Sequence, residues 1–233
     1  MPGTGESAVR RALLYPEAET PPTMHPIDRA HAYFRQAKFL LSAHQPRDLP
    51  TDAGREVAVL GRSNVGKSSV LNALCDQHGL ARTSRTPGRT QLMVVFDLGE
   101  GRRLLDLPGF GYAAVQRELR AHWDRTLPAV LESRRSLRGL VLLADARHPL
   151  KAEELGLLQW AGAAGMPVLL ALNKTDKLNR EASLKALRAA RETLQRYRIK
   201  VAPVLVSAVT QQGIEDVRAA LHTWFGDAEE DDS

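Results

Sequence analysis

Apolar residues along this chain come in short runs closed by polar turns. Runs near 55–60, 92–98, 102–107, 139–145, 167–172 and 202–206 read as buried strands. Between them, apolar positions recur at helical spacing near 67–76, 115–134, 151–163, 180–197 and 211–225. Strands alternating with helices predict a mostly parallel sheet with helices on both faces. Gly99-Glu100-Gly101 separates two of the runs and is too short for a crossover. It forces a hairpin, so one strand must be antiparallel, placed here at an edge. The expected architecture is α/β, with a six-stranded sheet.

Ahead of the first strand, Ala30, Tyr33, Phe34, Ala37, Leu40 and Leu41 also recur at helical spacing. They predict an amphipathic helix over 28–43 packed on the main domain. Pro46 and Pro50 mark the loop after it. In the 115–134 segment, Leu119, Trp123, Leu127, Val130 and Leu131 read as core contacts, and Pro128 is expected to kink or divide the helix. Residues 1–27 hold Pro2, Gly3, Gly5, Pro16, Pro21, Pro22 and Pro26 with little apolar pattern, as a flexible tail does. The chain is therefore expected to divide into a tail (1–27), one globular domain (28–226) and an acidic tail (227–233).

Charge changes the picture in one respect. The 233 residues carry a formal net charge of +5, but the last seven hold five acids, so the remainder carries +10. A basic body suits RNA or another phosphate-rich partner. The arginines expected near the ligand, Arg82, Arg85, Arg89, Arg102 and Arg103, followed by Arg117, Arg120, Arg134, Arg135 and Arg138, are the candidate RNA-facing surface. Cys75 is the single cysteine. No disulfide framework or Cys-based metal site follows, and a reducing compartment is expected. The chain has no apolar run of ~18 residues, hence no expected membrane anchor. Ala12-Leu13-Leu14 before Pro16 is too short for a signal-peptide core.

The chemistry begins at Gly61-Arg62-Ser63-Asn64-Val65-Gly66-Lys67-Ser68-Ser69. This fits the phosphate-loop pattern G-x-x-x-x-G-K-[ST], between a strand and a helix as that motif requires. Glycines let the backbone fold around phosphate oxygens, and N–H groups at the helix start point at the charge. Lys67 reaches the outer phosphates and the Ser68 hydroxyl suits Mg²⁺. Asp106-Leu107-Pro108-Gly109 closes a later strand. An acid there can hold the Mg²⁺ shell, and the Gly109 N–H can approach a γ-phosphate. Between them, Thr86-Pro87-Gly88-Arg89-Thr90-Gln91 offers a threonine hydroxyl to Mg²⁺ when a γ-phosphate is present, with Thr90 preferred over Thr86.

Asn173-Lys174-Thr175-Asp176 also closes a strand. A carboxylate only accepts hydrogen bonds. Guanine offers N1–H and an exocyclic NH₂ side by side, so Asp176 can take both, and adenine has no such pair. Lys174 can lie along the base and Asn173 can brace the loop. Val206-Ser207-Ala208 follows the sixth strand, where open α/β sheets bind ligands. Small residues there let a backbone N–H reach the base. Five boxes in this order point to a guanine-nucleotide-binding domain.

Gly61–Ser69, Thr86–Gln91, Asp106 to Ala113 and Asp145-Ala146-Arg147-His148-Pro149-Leu150 together resemble the EngB (YihA/YsxC) family of GTPases, over roughly residues 30–225. The resemblance implies a P-loop GTPase fold. It also implies a cytoplasmic bacterial enzyme hydrolysing GTP to GDP and phosphate, with roles in large ribosomal subunit assembly and cell division septation. Ser68, Thr90 and Asp106 would serve Mg²⁺. Lys67, Asn64 and Thr90 would serve catalysis. Phe110 stands where Tyr is frequent in the family, and Asn173 where Thr is.

In Ras-like proteins a glutamine after the Asp-x-x-Gly box orients the attacking water. Phe110 occupies that place and cannot, so slow intrinsic hydrolysis and an outside activator are expected. One candidate activator is K⁺ held partly by Asn64, as the likeness to potassium-stimulated GTPases implies. The other is the ribosomal particle. The expected partners are GTP/GDP and the large subunit or its precursor, bound by a monomer. Two other classes compete: a GTP-regulated interaction module at a membrane or septum, and a P-loop phosphotransferase.

Overall fold

A computed structural model of the chain describes residues 32–81, 92–110, 128–148 and 150–226. The expected tails at 1–27 and 227–233 lie outside these residues. So do Thr86–Gln91, Gly111 to Ala113, Pro149, most of the 115–134 segment, and Arg82, Arg85, Arg117 and Arg120.

The described strands are β1 (Lys38–Ala43), β2 (Arg55–Gly61), β3 (Met93–Gly99), β4 (Arg102–Asp106), β5 (Leu137–Asp145), β6 (Val168–Asn173) and β7 (Pro203–Leu205). The helices are α1 (Lys67–Leu74), α2 (Ala152–Ala163), α3 (Arg180–Arg196) and α4 (Ile214–Phe225). The sheet order is β1-β3-β4-β2-β5-β6-β7. Strands β4, β2, β5, β6 and β7 run parallel to their neighbours in that series, while β3 is antiparallel to both β4 and β1.

Two expectations need correction. The sheet has seven strands, not six, and the antiparallel strand β3 is not at the edge. The cause is the segment assigned to an N-terminal helix. Residues 32–35 do form a helical turn, but Lys38–Ala43 is strand β1, laid on the outer side of β3. Helical and strand placements compete where apolar residues are dense, and an unpaired β3 edge favours the strand. A register irregularity at Leu40 breaks the alternation, leaving Phe39 and Leu40 both exposed. The short helical turn that precedes β1 still anchors it. Phe34 is fully buried against Tyr33 and Phe225, and Arg102 lies 5.0 Å from the Tyr33 ring centre.

The parallel strands are apolar on both sides, as a sheet covered on two faces requires. Val57 and Val59 of β2 join the core under α1 and α4, with Val70, Leu71, Leu74, Val217, Leu221 and Phe225. Ala58 and Leu60, one residue out of phase, join the opposite core with Leu155, Leu158, Ala190 and Leu194 of α2 and α3. The described end of the 115–134 segment, helical from Pro128 to residue 133, adds Val130 and Leu131 to that second core.

Two charged networks fix the ends of this frame. Glu56 is completely buried at the start of β2. Arg134 meets it through two nitrogens at 2.6 and 2.7 Å, and Arg103 at 3.2 Å. At the other site, Arg218 of α4 donates to the Leu74 and Ala73 carbonyls, both at 2.8 Å. These are C-terminal carbonyls of α1, which lack intrahelical donors and sit at the negative end of the helix dipole. Glu215 completes the contact at 2.5 Å. Replacing Arg218 by Met keeps the aliphatic bulk and removes the donors. The expected result is a loss of about 2 kcal/mol in denaturant titration with an unchanged m-value.

Candidate functional site

The C-terminal ends of β2, β4, β5 and β6 deliver Gly61, Asp106, Asp145 and Asn173 to one rim of the sheet. Register makes this explicit: Val59 pairs with Asp106, Gly61 with Leu143, and Asp145 with Asn173. Rims of this kind bind ligands in open α/β sheets.

The phosphate-loop residues follow β2 directly. Asn64 and Gly66 both adopt left-handed backbone conformations, at φ 62° and 98°, and Gly66 caps the start of α1. A side chain on Gly66 would be strained by that φ. It would also put a Cβ 2.5 Å from Asn173 Nδ2. The glycine thus permits close approach by Asn173. Lys67 and Ser68 open α1, where N–H groups are free of intrahelical acceptors.

The Asp106 box docks onto the same loop. Phe110 N–H donates to Gly61 O at 3.2 Å, and Ser63 N–H donates to Phe110 O at 3.1 Å. Between them, a Cβ on Gly109 would lie 3.1 Å from Ser63 N, so the approach is a tight one. Lys67 Nζ donates directly to the Asp106 carboxylate. Burial raises the Asp106 pKa, and the Lys67 ammonium offsets part of that rise. Leu107 is buried and Pro108 half-buried, and they turn the chain from β4 into this contact.

Asn173 and Lys174 connect the two halves of the rim. Asn173 Nδ2 donates to Val65 O at 2.9 Å, and Lys174 Nζ donates to Asn64 O at 2.6 Å. The brace read from sequence is thus present. Lys174 Nζ also meets Asp145 Oδ2 at 3.0 Å, and Arg147 grips the same carboxylate at 2.9 and 2.7 Å. Burial pushes the Asp145 carboxyl up, but Arg147 and Lys174 together hold it well below the carboxylate range. The role of Asp145 as counterion to Lys174 escaped the sequence reading, since nothing in the sequence pairs positions 29 apart.

Asp176 is presented by a short 3-10 turn over Thr175–Lys177. The Ser207 hydroxyl donates to its Oδ1 at 2.8 Å and, with Lys177, holds its pKa below the ordinary value against partial desolvation. Ser207 N–H donates to Gln212 O at 2.9 Å, and Val206 N–H to Leu172 O at 2.8 Å, which fixes the Val206–Ala208 turn beside Asp176. Thr175 is buried, with its hydroxyl 3.0 Å from Val206 O and 2.8 Å from the Gln212 side chain. It joins the two boxes and faces inward, so among the four residues of its box it braces the structure.

The expected arginine surface is corrected. Arg102 and Arg103 start β4, whose other end carries Asp106, so they lie at the sheet end opposite the phosphate loop. Arg102 pairs with Glu100, and Arg103 and Arg134 are drawn to Glu56. Arg135 and Arg138 remain exposed.

The donor set at the rim suits a hard cation. Ser68 and Asp106 would supply oxygen ligands to it, in place of the Lys67 ammonium that the buried Asp106 carboxylate now meets. Among the described residues no three His, Cys, Asp or Glu gather as a metal cluster, so such a cation would complete its shell from phosphate and water. Also among the described residues, no helix is long and apolar enough to cross a membrane.

Comparison with known proteins agrees with this geometry. A family model described as "50S ribosome-binding GTPase" matches residues 56–174. The "Probable GTP-binding protein EngB" of Escherichia coli (strain 536) is 46% identical over 194 residues, covering 83% of this chain and 92% of that one. Among solved structures, "a probable GTP-binding protein engB" superposes with a TM-score of 0.57 at 20% identity, covering 73% of this chain and 98% of that chain. Era bound to MgGDPNP and a 16S ribosomal RNA segment gives 0.54 at 22%, covering 72% and 55%.

Proposed function

We propose that this chain, which belongs to the EngB family of GTP-binding proteins, is a GTP-driven switch acting in large ribosomal subunit assembly. Family membership makes it a GTPase with a P-loop fold. The observation that carries the site reading is the clamp of Asn173 and Lys174 on the carbonyls of Val65 and Asn64. In this reading it joins the base-reading box to the phosphate cradle as one guanine-nucleotide site.

In this reading the loop from Gly61 to Ser69 cradles the phosphates, and Asp176 with Val206–Ala208 reads the base. Thr86–Gln91 contributes Thr90 once a γ-phosphate is bound. Lys67 and Asp106 are each other's counterions, so drawing Lys67 onto a phosphate leaves the Asp106 carboxylate available to a cation. Ser68, Asp106 and Thr90 would hold Mg²⁺, which when bound neutralises charge on the phosphoryl oxygens. Lys67 neutralises the charge that builds on the β- and γ-phosphate oxygens. Phe110, which binds back to Gly61 and Ser63, offers no group to orient water, in keeping with slow intrinsic turnover.

Incubation with GTP alone tests the reading. Phosphate and GDP should appear in equal amounts without an acceptor, and ATP should be left intact. Transfer that needs an acceptor would make the chain a phosphotransferase instead.

Asn64 stands exposed at the left-handed position of the loop, where a monovalent cation could bridge it to the phosphates. The wild-type protein should hydrolyse GTP faster in K⁺ than in Na⁺, and Asn64→Ala should lose most of that difference. Full retention of the K⁺ response by the variant would assign activation to the ribosomal particle. The remaining parts of the proposal are a cytoplasmic monomer, a role in cell division septation, and tails at 1–27 and 227–233 outside the domain.

A further inference from the structure

We infer that the outward face of α3 and the turn after it form the RNA-binding surface of this protein, an inference that rests on the ribosomal reading above. The arginines that the sequence offered for this task are partly spent on internal partners. The cations of α3 are not. From Lys185 to Lys200 the chain carries Lys185, Arg188, Arg191, Arg196, Arg198 and Lys200 against the single acid Glu192, a net +5 in one short stretch. All six are exposed, and none forms an ion pair with another described residue.

Helical geometry explains their alignment. Ser183, Ala190 and Leu194 are buried, and Ala190 and Leu194 face the sheet. Lys185, Arg188 and Arg196 fall on the far side of a 3.6-residue turn from that stripe, and Arg191 lies on its flank. Eleven residues separate the first from the last, or about 16 Å of helix, so several phosphates can be met at once.

The chemistry of this face selects among partners. Its helical part carries one large apolar side chain, Leu184, and the remaining apolar stripe is committed to the core, so it lacks the continuous apolar face a membrane-lying helix needs. Cores of protein interfaces are depleted in charge, unlike this surface. Phosphate backbones are bound by such rows of Lys and Arg. Tyr197, half exposed at the helix end among Arg196 and Arg198, supplies a ring on which an unpaired base can stack. The helix also begins at Arg180, four residues after Asp176 and capped by Asn179, so the surface is covalently continuous with the proposed nucleotide site.

The test compares the full chain with a Lys185→Ala/Arg188→Ala/Arg191→Ala variant. Alanine keeps the helix, and none of the three touches the nucleotide site. The probes are purified large ribosomal subunits, the protein-free large-subunit RNA, and phosphatidylglycerol vesicles, each across a range of KCl. The variant should bind both particles and RNA about tenfold or more weakly, and the slope of log affinity against log salt should fall by about one per residue removed. GTP turnover without particles should be unchanged. An Arg188→Lys/Arg191→Lys variant should bind like wild type. Equal affinity and slope for the triple variant and wild type would overturn the inference, and so would wild-type binding to vesicles but not to RNA. Binding to free RNA through this face without binding to particles would support it while removing the ribosomal reading.

Discussion

Asp176→Asn should lower GTP affinity by about a thousandfold or more and create affinity for xanthosine triphosphate. The wild-type carboxylate is proposed to accept both guanine donors. An asparagine amide has one acceptor and one donor, so its NH₂ would face a guanine N–H. Xanthine has a carbonyl where guanine has the exocyclic amine, which restores the match. The amide oxygen can still accept from Ser207, so the turn should survive. Because the Asp176 pKa is held below its ordinary 3.8, the carboxylate stays charged and GTP binding should be flat as pH falls toward that range. Titration of a fluorescent GTP and its xanthine counterpart measures all of this. Undiminished GTP binding by the variant would remove Asp176 from base recognition.

Glu56→Ala should cost about 3–5 kcal/mol and lower the melting temperature on the order of 10 °C, without abolishing nucleotide binding in the protein that remains folded. Glu56 is fully buried, and it is the charge that Arg134 and Arg103 close upon. Its removal leaves two guanidiniums in a confined place without an anion. The neighbouring strands shield it on both sides. This network sits at the N-terminal end of β2, remote from the rim that holds Asp106 and Asn173. Thermal melts with and without GDP separate the effects. The stabilisation that GDP confers should be similar in both proteins, while the baseline melting point drops. A variant as stable as wild type would mean the triad contributes nothing net.

The proposed nucleotide site could be read from the sequence because its chemistry fixes residue types at fixed spacing. Gly66 must take a left-handed conformation and admit Asn173 closely. Asp176, as the proposed base reader, must be an acceptor. Strand β1 was not legible. Its burial follows no alternation, and its place depends on the edge of β3, which lies more than fifty residues away. The ion pairs were not legible either. Glu56 reads as the polar start of an apolar strand, and Arg102, Arg103 and Arg134 read as free cations, since a sequence does not show which charges meet. The same limit hid Asp145 as the partner of Lys174 and drew attention away from α3.

A switch that acts on the large ribosomal subunit must bind it in one nucleotide state more than in the other. The decisive measurement is co-sedimentation of the full chain with purified large subunits, in GDP and in a non-hydrolysable GTP analogue. The expected result is recovery in the pellet with the analogue and little with GDP. Equal recovery in both states, or none in either, would contradict the account.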